Sequence, residues 1–567
     1  MRFLVVFTFI FLTAAASAQT SDAIRVLTDE DRERYAEIFE LQEEGAWTSA
    51  DKLINAVDDD ILMGHVWFQR YMHPTAYRSS YQELKQWMAY YADHPQADRI
   101  YKLANKKRPR QSSSQKRPIP RKWRAEASTS LHPDTAADYE RTSTSKLRQI
   151  EGRVRFLSRK ERALDALKEI DGHKKRGTIT TRQYDRMRSW IAASLYYQGY
   201  VDTAEKLASA SAKRNGDTGV LAYWIAGLID FRNDDAHAAF EHFVAMAAVP
   251  YQDDALRSAA GFWAARSALK SGNLSSVAPN LEIAAQFPFT FYGQLAIAQL
   301  GREHQYQWTP PAARQGDIDA LIAEDDRIKR AIALAEIGRK TDADLELRWA
   351  NGFRSAEDDP AMLAIAMAHD LPSAQLDIAL AGGKPYEAGL YPIPAFTPLG
   401  GFKTDRALIY ALMRQESKFK TDATSRVGAR GLMQLMPRTA SYMAKDNSLR
   451  SASGRKKLYD PSFNLALGQR YVKYLIDNSA NGNLFHMAAA YNGGPGNLRK
   501  WRKEVDIEDP LLFIESIPNP ESRDFVEKVL TNIWVYRARL GQAAPTRDKV
   551  AAGELPLYEA IDQRASQ

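Results

Sequence analysis

The sequence predicts an all-α protein: a helical-hairpin superhelix (a solenoid) followed by a second, mainly α domain. Three observations carry that reading. Ala, Leu, Glu, Gln and Arg dominate at helical spacing, while alternating β-branched runs are scarce. One pattern recurs three times, in Trp190-Ile191-Ala192 with Gly199, Trp224-Ile225-Ala226 with Asn233, and Trp263-Ala264-Ala265 with Gly272. Finally, a stretch holding Pro385, Pro392, Pro394 and Pro398 separates this body from a segment of different character.

The repeat starts lie 34 and 39 residues apart, the length of a helix hairpin. Within each, Trp fills the core, the small Ala lets a partner helix approach, and Gly or Asn ends the helix. Stacked hairpins of this length form a curved solenoid, in which the tryptophans are core residues rather than sugar contacts. A similar turn surrounds Gly45, Trp47 and Ala50.

A chain of 567 residues exceeds one compact core. With 45% hydrophobic and 26% charged residues it has the balance of a globular protein. The absence of cysteine excludes disulfides, thiolate metal sites and a cysteine nucleophile. At the start, Arg2, an apolar run from Phe3 to Leu12 and the tripeptide Ala16-Ser17-Ala18 make up a secretory signal peptide cut after Ala18. The run is too short for a transmembrane anchor. The expected location is therefore periplasmic, without a membrane anchor.

The net charge of +7 is unevenly spread. Ten Lys and Arg and no acid lie between Lys102 and Arg124, a composition that reads as a flexible basic insertion. Between Gly401 and Leu540 there are 23 basic and 14 acidic residues, which points to an anionic partner. The charge alone names no particular anion; an exported chain meets anionic wall polymer first, and nucleic acid is not expected. The resulting division is a signal peptide at 1–18, an α-superhelical domain at 19–381 with the basic insertion at 102–124, a linker at 382–401, a catalytic domain at 402–545 and a C-terminal tail at 546–567.

The chemistry concentrates after Thr404. In the helix Arg406 to Ser417, steps of three and four place Glu416 at the end of an apolar stripe of Ile409, Leu412 and Met413. A partly desolvated carboxyl holds its proton near neutrality, as a general acid must. The competing reading is a helix-end glutamate paired with Arg414 or Lys418. Downstream, Ser425 to Pro437 runs Gly428, Gly431 and Gln434 into the start of an amphipathic helix. Farther on, Ala488 to Gly496 delivers the Tyr491 hydroxyl and the Asn492 amide into a glycine-rich turn. Polar groups beside closely approaching backbone suit a hydroxyl-rich sugar chain.

Four signatures stand in order: Arg414-Gln415-Glu416-Ser417; Gly428 to Pro437; Ala489 to Pro495; and Glu515-Ser516-Ile517-Pro518 leading to Glu521-Ser522-Arg523. With Asp460-Pro461, Asn464, Leu467-Gly468 and Tyr471, they closely resemble the soluble lytic murein transglycosylases. Phe289 to Ala296 is similar to the superhelical body of the same family. The resemblance implies a lysozyme-like catalytic domain and cleavage of the β-1,4 bond between N-acetylmuramic acid and N-acetylglucosamine in peptidoglycan glycan strands, leaving 1,6-anhydromuramoyl ends. It implies Glu416 as catalytic acid and base, and Ser425, Gln434, Met436, Tyr491, Asn492 and Glu521 as substrate-binding residues. Cell-wall enzyme complexes are candidate partners. The sequence departs from the family at Gly493, where Ala is usual, at Asn519-Pro520 and at Ser522.

The rival readings are a goose-lysozyme-like hydrolase with the same acid, and a non-catalytic cell-wall scaffold. No metal and no cofactor are expected. His486 is the only histidine between Gly401 and Leu540, His237 and His242 stand five apart rather than four, and no phosphate-binding glycine loop precedes a Lys-Ser or Lys-Thr pair.

Overall fold

The computed structural model describes residues 24–124, 144–215, 219–249, 253–381 and 386–564. The expected signal peptide at 1–18 lies outside them. Among the described residues the secondary structure is helical, and β pairing is limited to isolated bridges such as Thr424 with Arg430. None of these helices is long and apolar enough to cross a membrane.

The chain forms two compact units, each of non-contiguous stretches. The first comprises the described residues of Met1–Ala127, Gln307–Phe396 and Lys418–Ala423. The second comprises those of Ser128–Tyr306, Thr397–Ser417 and Thr424–Gln567. This grouping cuts across the sequence division at 382–401.

In the first unit Tyr35, Ile38, Leu62 and Val66 share one fully buried core with Ile328, Ile332, Leu347 and Met362. Helices Asp29–Glu44 and Met63–Tyr71 therefore pack with Asp326–Glu336 and Lys340–Asn351. A buried polar clamp reinforces this closure. The Glu346 carboxylate accepts from Arg330 Nε at 2.9 Å and lies 2.8 Å from His65 Nε2, and Arg330 also reaches Asp93 at 2.8 Å. Burial holds His65 neutral, its pKa pushed down to about 3. His94 joins the cluster, and its three members could in principle surround an ion. However, His94 Nδ1 accepts the Gln96 N–H at 3.0 Å, which puts the ring proton on Nε2 and leaves no lone pair there. With Arg330 on the glutamate as well, the cluster is a clamp rather than a ligand set.

The expected flexible insertion at 102–124 is corrected. Helix Ala97–Lys107 takes its first part, and the rest is an extended segment fastened along its length. The Ile119 N–H donates to Ala92 O at 2.8 Å, Arg121 Nη2 to Arg348 O at 3.1 Å, and Arg124 pairs with buried Asp359 through both nitrogens. The Arg121 guanidinium also lies 3.5 Å from the Trp123 ring centroid. The acids that satisfy these bases come from residues beyond 340, so the local sequence reads as uncompensated charge.

In the second unit nine successive described helices, from Ser145–Arg159 to Phe291–Gln299, pack each on the next. Alternate helices also touch, as in a stacked-hairpin superhelix. Trp224 and Trp263 are buried and meet edge to face at 6.3 Å. Trp190 is only half-buried, and the Arg155 guanidinium sits 4.2 Å from its ring centroid. Gly199 and Gly272 end their helices in the left-handed region as expected, with φ of 84° and 78°. The middle repeat differs: Asn233 keeps φ of −85° and Asp234 turns left-handed at 64°. Its helix runs one residue longer after the tryptophan, which shifts the cap.

Helix Pro520–Arg539 is the axis of the C-terminal part, packed against Arg406–Ser417 and Leu484–Gly493. Phe291 of the superhelix stacks on its Trp534 at 5.3 Å, which explains why 144–306 and this part form one unit. The described residues of the expected tail at 546–567 are docked rather than trailing. Trp534 Nε1 donates to Thr546 Oγ1 at 3.0 Å, Leu557 bridges Asn483, and Asp562 pairs with Arg406 at 3.1 Å.

Candidate active site

Glu416 owes its place to a helix that stops abruptly. Ile409, Leu412 and Met413 are fully buried under helix Pro520–Arg539, as the stripe predicts. Directly after Ser417, Lys418 and Phe419 adopt φ of 50° and 63°, a left-handed pair that bulky residues avoid. Such strain persists only where the surroundings over-determine it, and it leaves Glu416 one residue from the helix end. The helix start is fixed by buried Asp405, which accepts from Arg537 Nη2 at 2.8 Å and from the N–H of Ile561 and of Asp562 at 3.1 and 3.0 Å.

Among the described residues no hydrogen bond or ion pair to the Glu416 carboxyl is found, and no cation acts on it. Arg414 Nη1 instead donates to Asn532 Oδ1 at 2.9 Å. The paired helix-end reading is therefore corrected. Burial pushes the Glu416 pKa up to about 8, and the negative charge of Glu521 adds to the rise.

Beside it lies a loop held by short bridges. Arg430 pairs with Thr424 and Leu435, and Ser425 Oγ accepts the Ala429 N–H at 3.0 Å. The helix expected from this motif begins only at Pro437, with proline at its first position. Gln434 sits at φ of 43°, and its Nε2 donates to Gly431 O at 2.9 Å. Gly431, at φ of 74°, is needed by the fold rather than by a ligand. A Cβ there would lie 2.2 Å from Leu458 O and 2.4 Å from Asn464 Nδ2. Asn464 fastens the loop: its Oδ1 accepts the Met433 N–H at 2.8 Å, and its Nδ2 donates to Arg430 O and Leu458 O at 3.0 and 2.8 Å. In the sequence it stands out only within the Asp460-Pro461, Asn464, Leu467-Gly468 and Tyr471 set that the family resemblance marks.

Tyr491 donates its hydroxyl to Met433 O at 2.7 Å and stacks on Phe525 at 6.1 Å. The Glu416 charge acts on that hydroxyl, so the two groups are neighbours. Asn492 Oδ1 accepts from Ser522 Oγ at 2.6 Å, and its Nδ2 lies 3.4 Å from Glu521 Oε1. The structure thus brings Glu416, Tyr491, Asn492 and Glu521 together, with Gln434 joined through the loop that Tyr491 grips. Ser425 and Met436 are placed by the same loop at its two ends, and Met436 stays 38% exposed. No described hydrogen bond links either of them to Glu416.

The departure at Gly493 has a physical reason. A Cβ there would meet Trp501 Cη2 at 2.4 Å and Ser522 Oγ at 3.2 Å. The Trp501 ring occupies the volume of an alanine methyl. Gly493→Ala should therefore destabilise the protein by about 1–3 kcal/mol through overpacking. Adding Trp501→Leu should recover most of that loss, because removing the ring makes room. Thermal unfolding of the two single variants and the double variant measures this coupling, and additive losses would contradict it.

Glu515 and Ser516 do not line this site. Tyr292 donates its hydroxyl to Glu515, the Tyr196 and Ser516 hydroxyls bond at 2.7 Å, and the Arg523 guanidinium lies 3.7 Å from the Tyr197 ring centroid. Buried Glu527 bonds to Glu515, and burial together with that neighbouring charge pushes its pKa well up. This cluster anchors the start of helix Pro520–Arg539, and with it Glu521 and Ser522, to the superhelix. A cavity of about 750 Å³ elsewhere in the unit, lined by Phe231, Arg266, Asp509 and Leu512 among others, holds none of the predicted site residues.

Comparison with known proteins accounts for this arrangement. The family described as Transglycosylase SLT domain matches residues 398–513. This stretch is similar to the SLT transglycosylases. A soluble lytic murein transglycosylase of Salmonella typhimurium is 39% identical to the chain over 133 residues, which is 23% of this chain and 20% of that protein. Its Escherichia coli counterpart is 37% identical over 142 residues, 25% and 22% of the respective lengths. The aligned part thus spans about a fifth of these curated relatives. Two solved structures share the fold beyond the SLT domain. The 70 kDa soluble lytic transglycosylase of Escherichia coli has a TM-score of 0.52 at 17% identity, covering 91% of this chain and 98% of that one. An inactive mutant of lytic transglycosylase Slt from Pseudomonas aeruginosa has a TM-score of 0.56 at 19% identity, covering 94% and 91%. The all-α fold with a superhelical body, expected from the sequence, is shared with these neighbours.

Proposed function

We propose that the chain is an exported lytic transglycosylase that cleaves the β-1,4 bond between N-acetylmuramic acid and N-acetylglucosamine in peptidoglycan. The observation that carries this reading is the Glu416 carboxyl at the end of its apolar stripe, with no hydrogen bond or cation on it among the described residues, so that desolvation pushes its pKa up to about 8. Most glycosidases work with two carboxylates, one of them a nucleophile or a base for water. One group suffices when the substrate supplies its own nucleophile. Glu416 gives its proton to the glycosidic oxygen as the bond to the muramoyl anomeric carbon breaks, and the N-acetyl group supports that carbon. The Glu416 carboxylate then takes the proton of the muramoyl C6 hydroxyl, whose oxygen closes the 1,6-anhydro ring. No water is consumed, and Glu416 ends protonated as it began. Tyr491, Asn492, Gln434, Ser425, Met436 and Glu521 orient the sugars around it. The printed names of the curated relatives support this assignment. The basic C-terminal part suits an anionic wall polymer in the periplasm, with cell-wall enzymes as candidate partners.

The pH dependence separates this reaction from hydrolysis. A single group that starts protonated predicts kcat/KM that is level through neutrality and falls above about pH 8 as Glu416 ionises. A hydrolase with a separate base for water adds an acid limb and gives a bell. Mass spectrometry of muropeptides released from purified sacculi is the direct test. Anhydro ends are expected, and reducing ends would move the assignment to the goose-lysozyme-like reading.

A further inference from the structure

Most of the large apolar side chains in the SLT domain are buried, and Tyr442 is not: it stands 64% exposed on helix Pro437–Ala444, where it contributes nothing to a core. It is the outer end of a row of rings. Tyr442 meets Tyr474 edge to face at 5.9 Å, Tyr474 lies parallel to Tyr471 at 6.5 Å, and Tyr471 reaches Tyr491 at 5.4 Å. Tyr471 and Tyr474 stand three apart on helix Pro461–Asn478, hence on one face. Tyr491 closes the row at the loop beside Glu416. Tyr442 is exposed while the three rings behind it are half-buried.

We propose that Tyr442 and Tyr474 form an outer subsite for the glycan strand, several ångströms beyond the bond that is cut. Sugar rings present flat C–H faces rimmed by hydroxyls. A tyrosine offers the matching pair, an apolar ring face and a polar tip that stays wet. The surroundings favour a glycan over a lipid surface or an apolar protein patch, because Arg438 and Lys445, four before and three after Tyr442 on its helix and cap, are basic. Continuity with the ring beside Glu416 selects the strand itself as the occupant. The inference rests on the glycan-cleaving reading above. Its consequence is a preference for long strands, since only these reach Tyr442 and the cleft together.

The test uses the full-length protein with Tyr442→Ala, Tyr442→Trp and Tyr474→Ala, and Tyr90→Ala as a control at an exposed tyrosine of the other unit. Tyr442→Ala should raise KM on long glycan strands by about three- to tenfold, the weight of one stacking contact, with kcat changed far less. Tyr442→Trp should keep the low KM, and Tyr90→Ala should match the parent. Calorimetric binding of chitooligosaccharides of two to six sugars is expected to gain affinity with length in the parent and to lose that gain in Tyr442→Ala. Equal KM values and equal length dependence in Tyr442→Ala and the parent would overturn the subsite. If the parent releases no anhydro ends, the catalytic reading falls, and the chitooligosaccharide series still decides the subsite by itself.

Discussion

Glu416→Gln is expected to leave a folded protein that binds glycan and releases almost no anhydromuropeptide from sacculi. Glutamine keeps the shape and hydrogen-bonding reach of the side chain but can neither give nor take the proton. Loss of an acid or base alone costs about 10²–10⁴-fold in rate, and here one group serves as both. The same substitution should stabilise the fold at neutral pH. Glu416 keeps its proton in the folded state up to about pH 8, whereas an unfolded glutamate loses it near 4.5. The unfolded state is therefore favoured progressively as pH rises between these two values, and below the lower one the two proteins should be equally stable. Glutamine removes this penalty, by roughly 3 kcal/mol at pH 7. Near-wild-type turnover of Glu416→Gln would refute the assignment. A variant that is less stable at pH 7 would refute the buried-acid argument even if activity were lost.

Gly431→Ala should be among the more damaging single methyls in residues 398–513. Two costs coincide: φ of 74° is strained for alanine, and the new Cβ lands 2.2 Å from the Leu458 carbonyl oxygen. A carbonyl in the backbone cannot swing aside as a side chain can. The loop must shift, and it carries the Met433 carbonyl that holds Tyr491 and the backbone that Asn464 bonds. A loss of about 3 kcal/mol or more in stability is expected, from strain and broken buried hydrogen bonds together. Activity should fall with it. Gly428→Ala is the control: its φ of 94° carries a similar strain, but a Cβ there would meet only Arg430 Nη1 at 3.7 Å, so its loss should be smaller. Equal losses in the two variants would show that conformational strain alone accounts for Gly431.

Local pattern made the helices legible. The Ile409, Leu412, Met413 stripe is a local property, and it correctly gave Glu416 a helix and a buried neighbourhood. The Trp–Ala spacing likewise gave the superhelix. Sequence reading failed where the partner of a residue lies hundreds of positions away. Arg121 and Arg124 read as loose charge because Asp359 and the Arg348 carbonyl are remote in the chain. Glu515 and Ser516 stand in the same run of motifs as the site residues, yet their partners are Tyr292 and Tyr196 of the superhelix. Asn464 stood out only through the family resemblance, and nothing in the sequence told which loop it would hold.

By itself, then, the sequence determined the helical architecture and the order of the motifs, and it singled out Glu416 as the acid of the proposed chemistry, because periodicity and residue type are encoded within a few turns of chain. Only the tertiary structure decided three further things. It raised the Glu416 pKa by walling the carboxyl off from water and from the nearby Arg414 while leaving Glu521's charge in reach. It put Trp501 where an alanine at 493 would have stood. And it joined residues 144–306 to the C-terminal part and the N-terminal helices to 307–396. Each of these depends on desolvation, volume or charge supplied from a distant part of the chain, and such terms exist only once the chain has closed on itself.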